Sequence, residues 1–363
     1  MAVQKITIEQ FLELAAQFPV LDVRSPGEYL HAHIPGAYSL PLFTDEERKV
    51  VGTAYKQQSR ETAIKIGLDY FGVKMRKMVE EVEQLLLDWK PKISMNNEEN
   101  NRAVVVHCWR GGMRSAGVAW LLDLYGFKVY TLVGGYKAYR QWARRQFEKP
   151  YSFTILGGYT GSGKTLVLHE LKRIGKTIID LEGLACHKGS AFGALGEKPQ
   201  PSQEMFENLL AIELWKTHSL AYNQVQNTIY LEDESQRIGL LNIPAGIWNT
   251  MRNGPVVFIE IPFETRLNYL VETYGKYDKE KLVNAIIRIQ KRLGGLETKT
   301  AINYLLENNQ KECFRVLLKY YDKWYGKALV NRENLPALFN KITCNSVDVT
   351  TITNILINEK ATA

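Results

Sequence analysis

A chain of 363 residues, 45% apolar and 23% charged, is long enough for two ordinary domains, each with its own core. No apolar run approaches the ~18 residues of a membrane-spanning helix, and the first residues carry acids and amides where a secretory signal has an apolar stretch. A soluble, cytoplasmic protein with no membrane partner is expected, and its net charge of +7 is compatible with a polyanionic partner, because basic residues release counterions from phosphates.

Short apolar runs alternate with longer stretches of helical spacing, the pattern of an α/β fold. Pro19–Val23, Ala103–His107 and Lys128–Val133 predict buried parallel strands. Residues 73–89 predict a helix, and Pro91–Arg102, rich in Asn and Glu, a surface loop. A basic helix over Tyr136–Lys149 is stopped by Pro150, which places the domain boundary so that residues 1–148 form one domain and 149–363 another. In the second domain strands are expected at 153–156, 176–181, 228–232 and 255–261, with long helices at 281–293 and 301–328.

The four cysteines are far apart and form no CxxC pair, so neither a disulfide framework nor a zinc site is indicated. Cys186, Cys313 and Cys344 read as structural, since free cysteine is among the most buried residues. Cys108 differs. It follows a buried strand and precedes an apolar helix, within Cys108-Trp-Arg-Gly-Gly-Met-Arg-Ser115. A loop of that kind turns backbone N–H groups and a helix N-terminus toward one point, favouring an anion and a thiolate. Cys108, Arg110 and Arg114 are the candidate catalytic residues, and Trp109, Gly111, Gly112 and Met113 complete the anion loop; nucleophilic chemistry is expected.

After the strand at 153–156, Gly158-x4-Gly163-Lys164-Thr165 fits the Walker A pattern in the required strand-to-helix context. Gly158, Gly161, Ser162, Gly163, Lys164 and Thr165 are expected to bind phosphate or diphosphate, with Thr165 a candidate Mg²⁺ ligand. Acids at strand ends, Asp180, Glu182, Glu232, Asp233 and Glu234, compete for the metal role or serve as caps and ion-pair partners. His187, Lys188 and Ser190 lie just past a strand end, where open α/β sheets bind ligands.

His107-Cys108-x5-Arg114-Ser115 matches the signature of protein tyrosine phosphatases and also resembles the active loop of rhodanese-like domains. Leu21-Asp-Val-Arg-Ser-Pro-Gly-Glu-Tyr29, His33-Ile-Pro-Gly-Ala37 and Gly134-Gly-Tyr136 resemble further rhodanese signatures, so a rhodanese-like parallel-sheet domain followed by a P-loop α/β domain with added C-terminal helices is expected. The loop is one residue longer than in an ordinary sulfurtransferase, which points to a bulkier, phosphate-like anion.

The fusion resembles the tRNA 2-selenouridine synthase family, with Asp180–Ala185, Gly189–Gly193, Gln200–Gln203 and Glu234–Gly239 adding to the match. Lys188 stands where that family is expected to have arginine. The resemblance implies tRNA with 2-thiouridine at the wobble position as substrate, and geranyl diphosphate and selenophosphate as co-substrates. It implies no tightly bound organic cofactor, and a supplier of selenophosphate as a further partner. It implies geranylation of the sulfur with loss of pyrophosphate at the Walker loop, then exchange of the geranylthio group for selenium carried by Cys108. A cysteine phosphatase with a regulatory nucleotide-binding domain, a P-loop small-molecule kinase and a non-enzymatic tRNA-binding protein are the rival readings.

Overall fold

Val104, Val105 and Val106 are completely buried, as a parallel strand covered by helices on both faces requires. The computed structural model describes residues 3–89, 102–220, 228–330, 332 and 335–360, which fall into two compact units, Met1–Arg145 and Gln146–Ala363. The expected loop at Pro91–Arg102 lies, but for Arg102, outside the described residues. Among the described residues no helix is long and apolar enough to cross a membrane.

The first unit runs β1 (Gln4–Ile6), α1 (Ile8–Leu14), β2 (Val20–Asp22), α2 (Pro26–His31), β3 (Tyr38–Ser39), α3 (Asp45–Gln57), α4 (Arg60–Gly72), α5 (Met75–Asp88), β4 (Ala103–His107), α6 (Met113–Leu124), β5 (Lys128–Leu132) and α7 (Gly135–Gln146). Its five strands pair in the order β1-β5-β4-β2-β3, all parallel. The register sets Asp22 beside His107, so β4 delivers Cys108 to the C-terminal edge at the centre of the sheet. Leu21, Val106, Leu122 and Phe127 are fully buried in the core beneath that edge.

The second unit continues with β6 (Phe153–Gly158), α8 (Lys164–Arg173), α9 (Leu181–Ala185), α10 (Gln203–Leu220), β7 (Ile229–Glu232), β8 (Arg237–Ile238), β9 (Leu241–Asn242), α11 (Ala245–Asn253), β10 (Val256–Glu260) and α12 (Phe263–Tyr274). It ends with α13 (Lys279–Arg288), α14 (Gln290–Leu293), α15 (Gly295–Leu306), α16 (Gln310–Val330), α17 (Leu335–Leu338), β11 (Phe339–Thr343) and α18 (Val349–Lys360). A parallel sheet in the order β11-β10-β6-β7 carries β6 in its interior, with the β8–β9 hairpin separate.

Three sequence expectations change. The strand at 176–181 is reduced to a single bridge, Ile178 to Tyr230, because Asp180 already caps α9, accepting from the Gly183 N–H at 2.7 Å. The helix over 301–328 divides at Asn308, which takes a left-handed φ of 60° and ends α15 before α16 begins. The stretch 281–293 likewise breaks at Ile289 into α13 and α14.

Candidate functional site

Each unit places one of the two expected anion loops at the C-terminal edge of its sheet. In the first, the loop after β4 is locked by the residues that follow β5. Tyr136 and Lys137 donate their N–H groups to the carbonyls of Cys108 and Trp109, at 2.8 and 2.9 Å. Gly135 has φ 58°, and a Cβ there would lie 2.3 Å from the Cys108 carbonyl oxygen, so only glycine permits the approach.

Beneath the loop, Arg24 is 1% exposed and joins the end of β2 to two further segments, at Ala32 and Tyr136. Its guanidinium grips Asp22 at 2.6 and 2.9 Å, donates to the Ala32 carbonyl at 2.7 Å and lies 3.8 Å from the centre of the Tyr136 ring. Burial pushes the Asp22 carboxyl up, but His107 and Arg24 outweigh it and hold the group below its ordinary range. His107 is completely buried, and desolvation drives its pKa down against the opposing pull of the Asp22 carboxylate.

Cys108 is 3% exposed, its sulfur 3.3 Å from the Ser115 hydroxyl. Burial raises the thiol pKa, but the Ser115 hydroxyl and N–H, the Arg114 charge and the Gly112 N–H more than offset this, and the net shift is downward. Arg114 is a half-buried partner of Glu28, Nη1 to Oε2 at 2.6 Å. Burial raises the Glu28 carboxyl as well, and Arg114, the Ser25 N–H and Arg48 overcome it, leaving Glu28 ionised. Trp109, Arg110, Gly111, Gly112 and Met113 are exposed and form the open lip over the buried sulfur.

In the second unit the Walker loop leaves β6 at Gly158 and enters α8 at Lys164. Gly158, Gly161 and Gly163 all have positive φ, and a Cβ at Gly158 would lie 2.5 Å from the Ser162 hydroxyl. Lys164 Nζ donates to the Gly158 carbonyl at 2.8 Å, closing the loop on itself. Tyr325 of α16 accepts from the Gly158 N–H at 3.1 Å and donates to Asp233 at 2.7 Å. Arg266 of α12 donates to the Thr160 carbonyl and is paired with Asp322 of α16 at 2.7 Å, so the C-terminal helices brace the loop from outside the sheet.

Thr165 donates its hydroxyl to Glu182 at 2.8 Å, and Glu182 accepts from Glu234. Burial, then the Glu182 charge, lifts the Glu234 carboxyl well above its ordinary range, so Glu234 holds the proton of the pair. Glu232 is fully buried, its carboxyl also pushed far up by burial, and its Oε1 has no hydrogen-bond partner among the described residues.

The Walker loop from Thr160 to Thr165, with Glu182 and Glu234, opens into a cavity of about 850 Å³. Of the expected residues it gathers Gly161, Ser162, Gly163, Lys164, Thr165, Glu182, Lys188, Ser190, Asp233 and Glu234. Gly158, Asp180, His187 and Glu232 are not in its lining. Asp180 instead caps α9 and meets His169 at 2.8 Å, while burial lowers the His187 pKa and its Nδ1 has no partner among the described residues. Lys188 is held by Glu197 at 3.0 Å.

The sequence reading missed the rest of the wall. Leu270, Tyr274, Tyr321 and Tyr325 face the cavity, with Trp248, Tyr320, Trp324, Arg252 and Arg292 also in its lining. The signal was present in α16, where Tyr320, Tyr321, Trp324 and Tyr325 recur at helical spacing, two adjacent rings per turn. Thr165 and Glu182, joined by that hydrogen bond, are the oxygen donors beside the Walker loop that could hold an Mg²⁺ ion, which prefers oxygen ligands. Among the described residues no cluster of three His, Cys, Asp or Glu side chains stands where it could hold a metal ion.

Residues 151–343 match the family model described as the tRNA 2-selenouridine synthase AAA domain, and residues 7–141 match the rhodanese-like domain. The tRNA 2-selenouridine synthase of Nitrosomonas europaea is 36% identical over 263 residues, 71% of this chain, and the match spans 64% of that protein's length. Its counterpart from Bdellovibrio bacteriovorus is 33% identical over 382 aligned positions, covering 93% of this chain and 96% of the relative. That from Hydrogenovibrio crunogenus is 34% identical over 348 positions, 87% and 90% of the two chains. By its two domain matches and by relatives aligned almost end to end, the chain belongs to the tRNA 2-selenouridine synthase family.

Proposed function

We propose that the chain converts wobble 2-thiouridine of tRNA to 2-selenouridine in two steps, geranylation at the Walker loop and selenium exchange served by the Cys108 loop. The observation that carries this reading is a cavity in which the Walker-loop residues 161–165 adjoin an aromatic wall. The diphosphate of geranyl diphosphate lies on residues 161–165, with Lys164 turned from the Gly158 carbonyl onto its oxygens. The geranyl chain lies against Leu270, Tyr274, Tyr321 and Tyr325, where burial stabilises it by about 25 cal/mol per Å² of apolar surface.

In the first step the thiouridine sulfur forms a bond to the geranyl carbon, the carbon–oxygen bond breaks, and diphosphate leaves with the electron pair. The base loses its N3 proton, and Glu182 and Glu234, which already share one proton beside Lys164, are the pair that passes it toward the diphosphate. Mg²⁺ held by Thr165 and Glu182 would supply charge neutralisation for the departing diphosphate. The tRNA enters over Trp248, Tyr320 and Trp324, whose rings stack unpaired bases, while Arg252 and Arg292 meet phosphates.

In the second step selenophosphate, delivered by the protein that makes it, is bound by the loop at 109–114 with Cys108 as nucleophile. The test is nucleoside mass spectrometry of 2-thiouridine tRNA incubated with protein, geranyl diphosphate, Mg²⁺ and selenophosphate. Selenouridine from the unaltered protein, and geranylthiouridine accumulating with Cys108→Ala, is the expected pair of results. Intact substrate after incubation with the unaltered protein would overturn the reading.

A further inference from the structure

We propose that the ring of Tyr325 is a catalytic group of the geranyl transfer, its face stabilising the positive charge that develops on the allylic carbon as diphosphate departs. This rests on the reading of geranyl diphosphate as the donor. It adds a course to that reading, in which the carbon–oxygen bond breaks ahead of carbon–sulfur bond formation.

An allylic diphosphate can lose its leaving group early, because the charge left behind is shared between two carbons of the allyl system. The electron pair of the carbon–oxygen bond goes to diphosphate. The thiouridine sulfur then gives a lone pair to the carbon, and the N3 proton leaves the base, so no further reactant is needed. A group speeds such a step only if it binds the transition state better than the bound donor. Charge on carbon exists only while the bond breaks, and an electron-rich aromatic face beside that carbon meets the condition.

The surroundings of Tyr325 suit this role. Its ring lines the cavity together with Lys164 and Thr165, and Lys164 Nζ lies 5.8 Å from the ring centre. A cation therefore already faces this ring beside the Walker loop. The carbon that carries the diphosphate is joined directly to the group that Lys164 meets, which brings it to the same ring.

The ring is also fixed in place. Its hydroxyl accepts from the Gly158 N–H at 3.1 Å and donates to Asp233 at 2.7 Å. Tyr159 packs against it at 64°, with ring centres 5.7 Å apart. A face held in advance needs no reorganisation when charge appears. Asp233 is paired with Arg332 at 3.0 Å, and donation to this carboxylate draws the phenol proton outward and leaves the ring richer in electrons. Burial, then the Asp233 charge, keeps the hydroxyl protonated far above its ordinary range. Tyr321 is held elsewhere, accepting from the Ala191 N–H at 2.9 Å in the loop that follows α9, and serves the chain through burial alone.

The experiment measures single-turnover formation of geranylthiouridine by the full chain, with 2-thiouridine tRNA and geranyl diphosphate, for the parent, Tyr325→Phe and Tyr325→Leu. Both variants lose the bonds to Gly158 and Asp233, and only the first keeps the ring, so their ratio isolates the ring. Tyr325→Leu should be roughly 10- to 30-fold slower than Tyr325→Phe, with like affinity for inorganic diphosphate. Fluorinated tyrosines placed at position 325 keep the hydroxyl and its bonds while withdrawing electrons from the ring. In mildly acid buffer, where the phenol stays protonated, each added fluorine should slow the reaction further. The donor 2-fluorogeranyl diphosphate, whose fluorine destabilises an allylic cation, should bind to the parent and react slowly. Equal rates for the phenylalanine and leucine variants, rates indifferent to fluorine on the ring, or a fluorinated donor that reacts as fast as geranyl diphosphate would overturn the inference. A parent that forms no geranylthiouridine from geranyl diphosphate overturns instead the reading of the donor, which distinguishes the two failures.

Discussion

Glu28 and Arg114 are joined at 2.6 Å across 86 positions of sequence, so the arginine of the cysteine loop is already neutralised in the absence of any anion. An arriving phosphoryl group therefore competes with a carboxylate for the same guanidinium. Glu28→Gln should release Arg114 and leave its charge to act on Cys108. The midpoint of Cys108 alkylation against pH should then fall, since a nearby unpaired cation favours the thiolate. An unchanged or higher midpoint would mean that Glu28 does not restrain Arg114.

Arg24→Ala should destabilise the first unit by about 3–5 kcal/mol, the cost of leaving a buried carboxylate unpaired. The loss includes the ring contact with Tyr136 and the bond to the Ala32 carbonyl. Urea unfolding followed by fluorescence reads it, and a loss below about 1 kcal/mol would show that water reaches and solvates Asp22.

Lys164→Ala removes the one Walker side chain whose ammonium faces the loop carbonyls. Affinity for geranyl diphosphate should drop on the order of 10- to 100-fold, as expected for a charge-assisted contact worth ~1.5–3 kcal/mol. Calorimetric titration with geranyl diphosphate and with inorganic diphosphate separates the head group from the chain. Equal binding of both ligands by variant and parent would place the diphosphate elsewhere.

Glu182, Glu232 and Glu234 all titrate above the ordinary carboxylate range, chiefly through burial. A raised folded-state pKa gives stability that is complete below the unfolded value and is lost as pH rises through the folded one. The melting temperature of the second unit should therefore decline as pH rises above the ordinary carboxylate range, and Glu234→Gln should flatten that slope without abolishing it, because Glu232 remains. A slope identical in the variant would sink the assignment of the shared proton to Glu234.

Trp324 is 47% exposed, with Lys327 Nζ 5.2 Å from its ring centre and Tyr320 beside it. Trp324→Ala should weaken binding of an anticodon stem-loop by about 1–3 kcal/mol, the usual value of one stacked base, and leave geranyl diphosphate affinity unchanged. Fluorescence anisotropy with labelled RNA measures it. Loss of the diphosphate ligand with RNA binding intact would assign this ring to the geranyl chain instead.

Much of the architecture was legible in local patterns. The all-apolar run at 104–106 announced a strand buried on both faces, and glycines with a lysine between strand and helix announced the phosphate loop. The strand at 176–181 failed because the side chain of Asp180 bonds the backbone of Gly183, a local competition that a hydrophobic pattern does not register. The helix break at Asn308 was missed for a related reason, since apolar periodicity resumes on either side of a single left-handed residue.

By itself the sequence determined which residues can do chemistry, because a glycine-rich turn between strand and helix dictates a local backbone whatever surrounds it. Tertiary structure alone decided who their partners are. Glu28 and Arg114, Tyr325 and Gly158, Thr165 and Glu182 meet only when parallel strands bring their C-terminal ends to one edge and α16 folds back over the Walker loop. The charge state of Cys108 and the shared proton of Glu182 and Glu234 follow from burial and those long-range neighbours, neither of which spacing along the chain encodes.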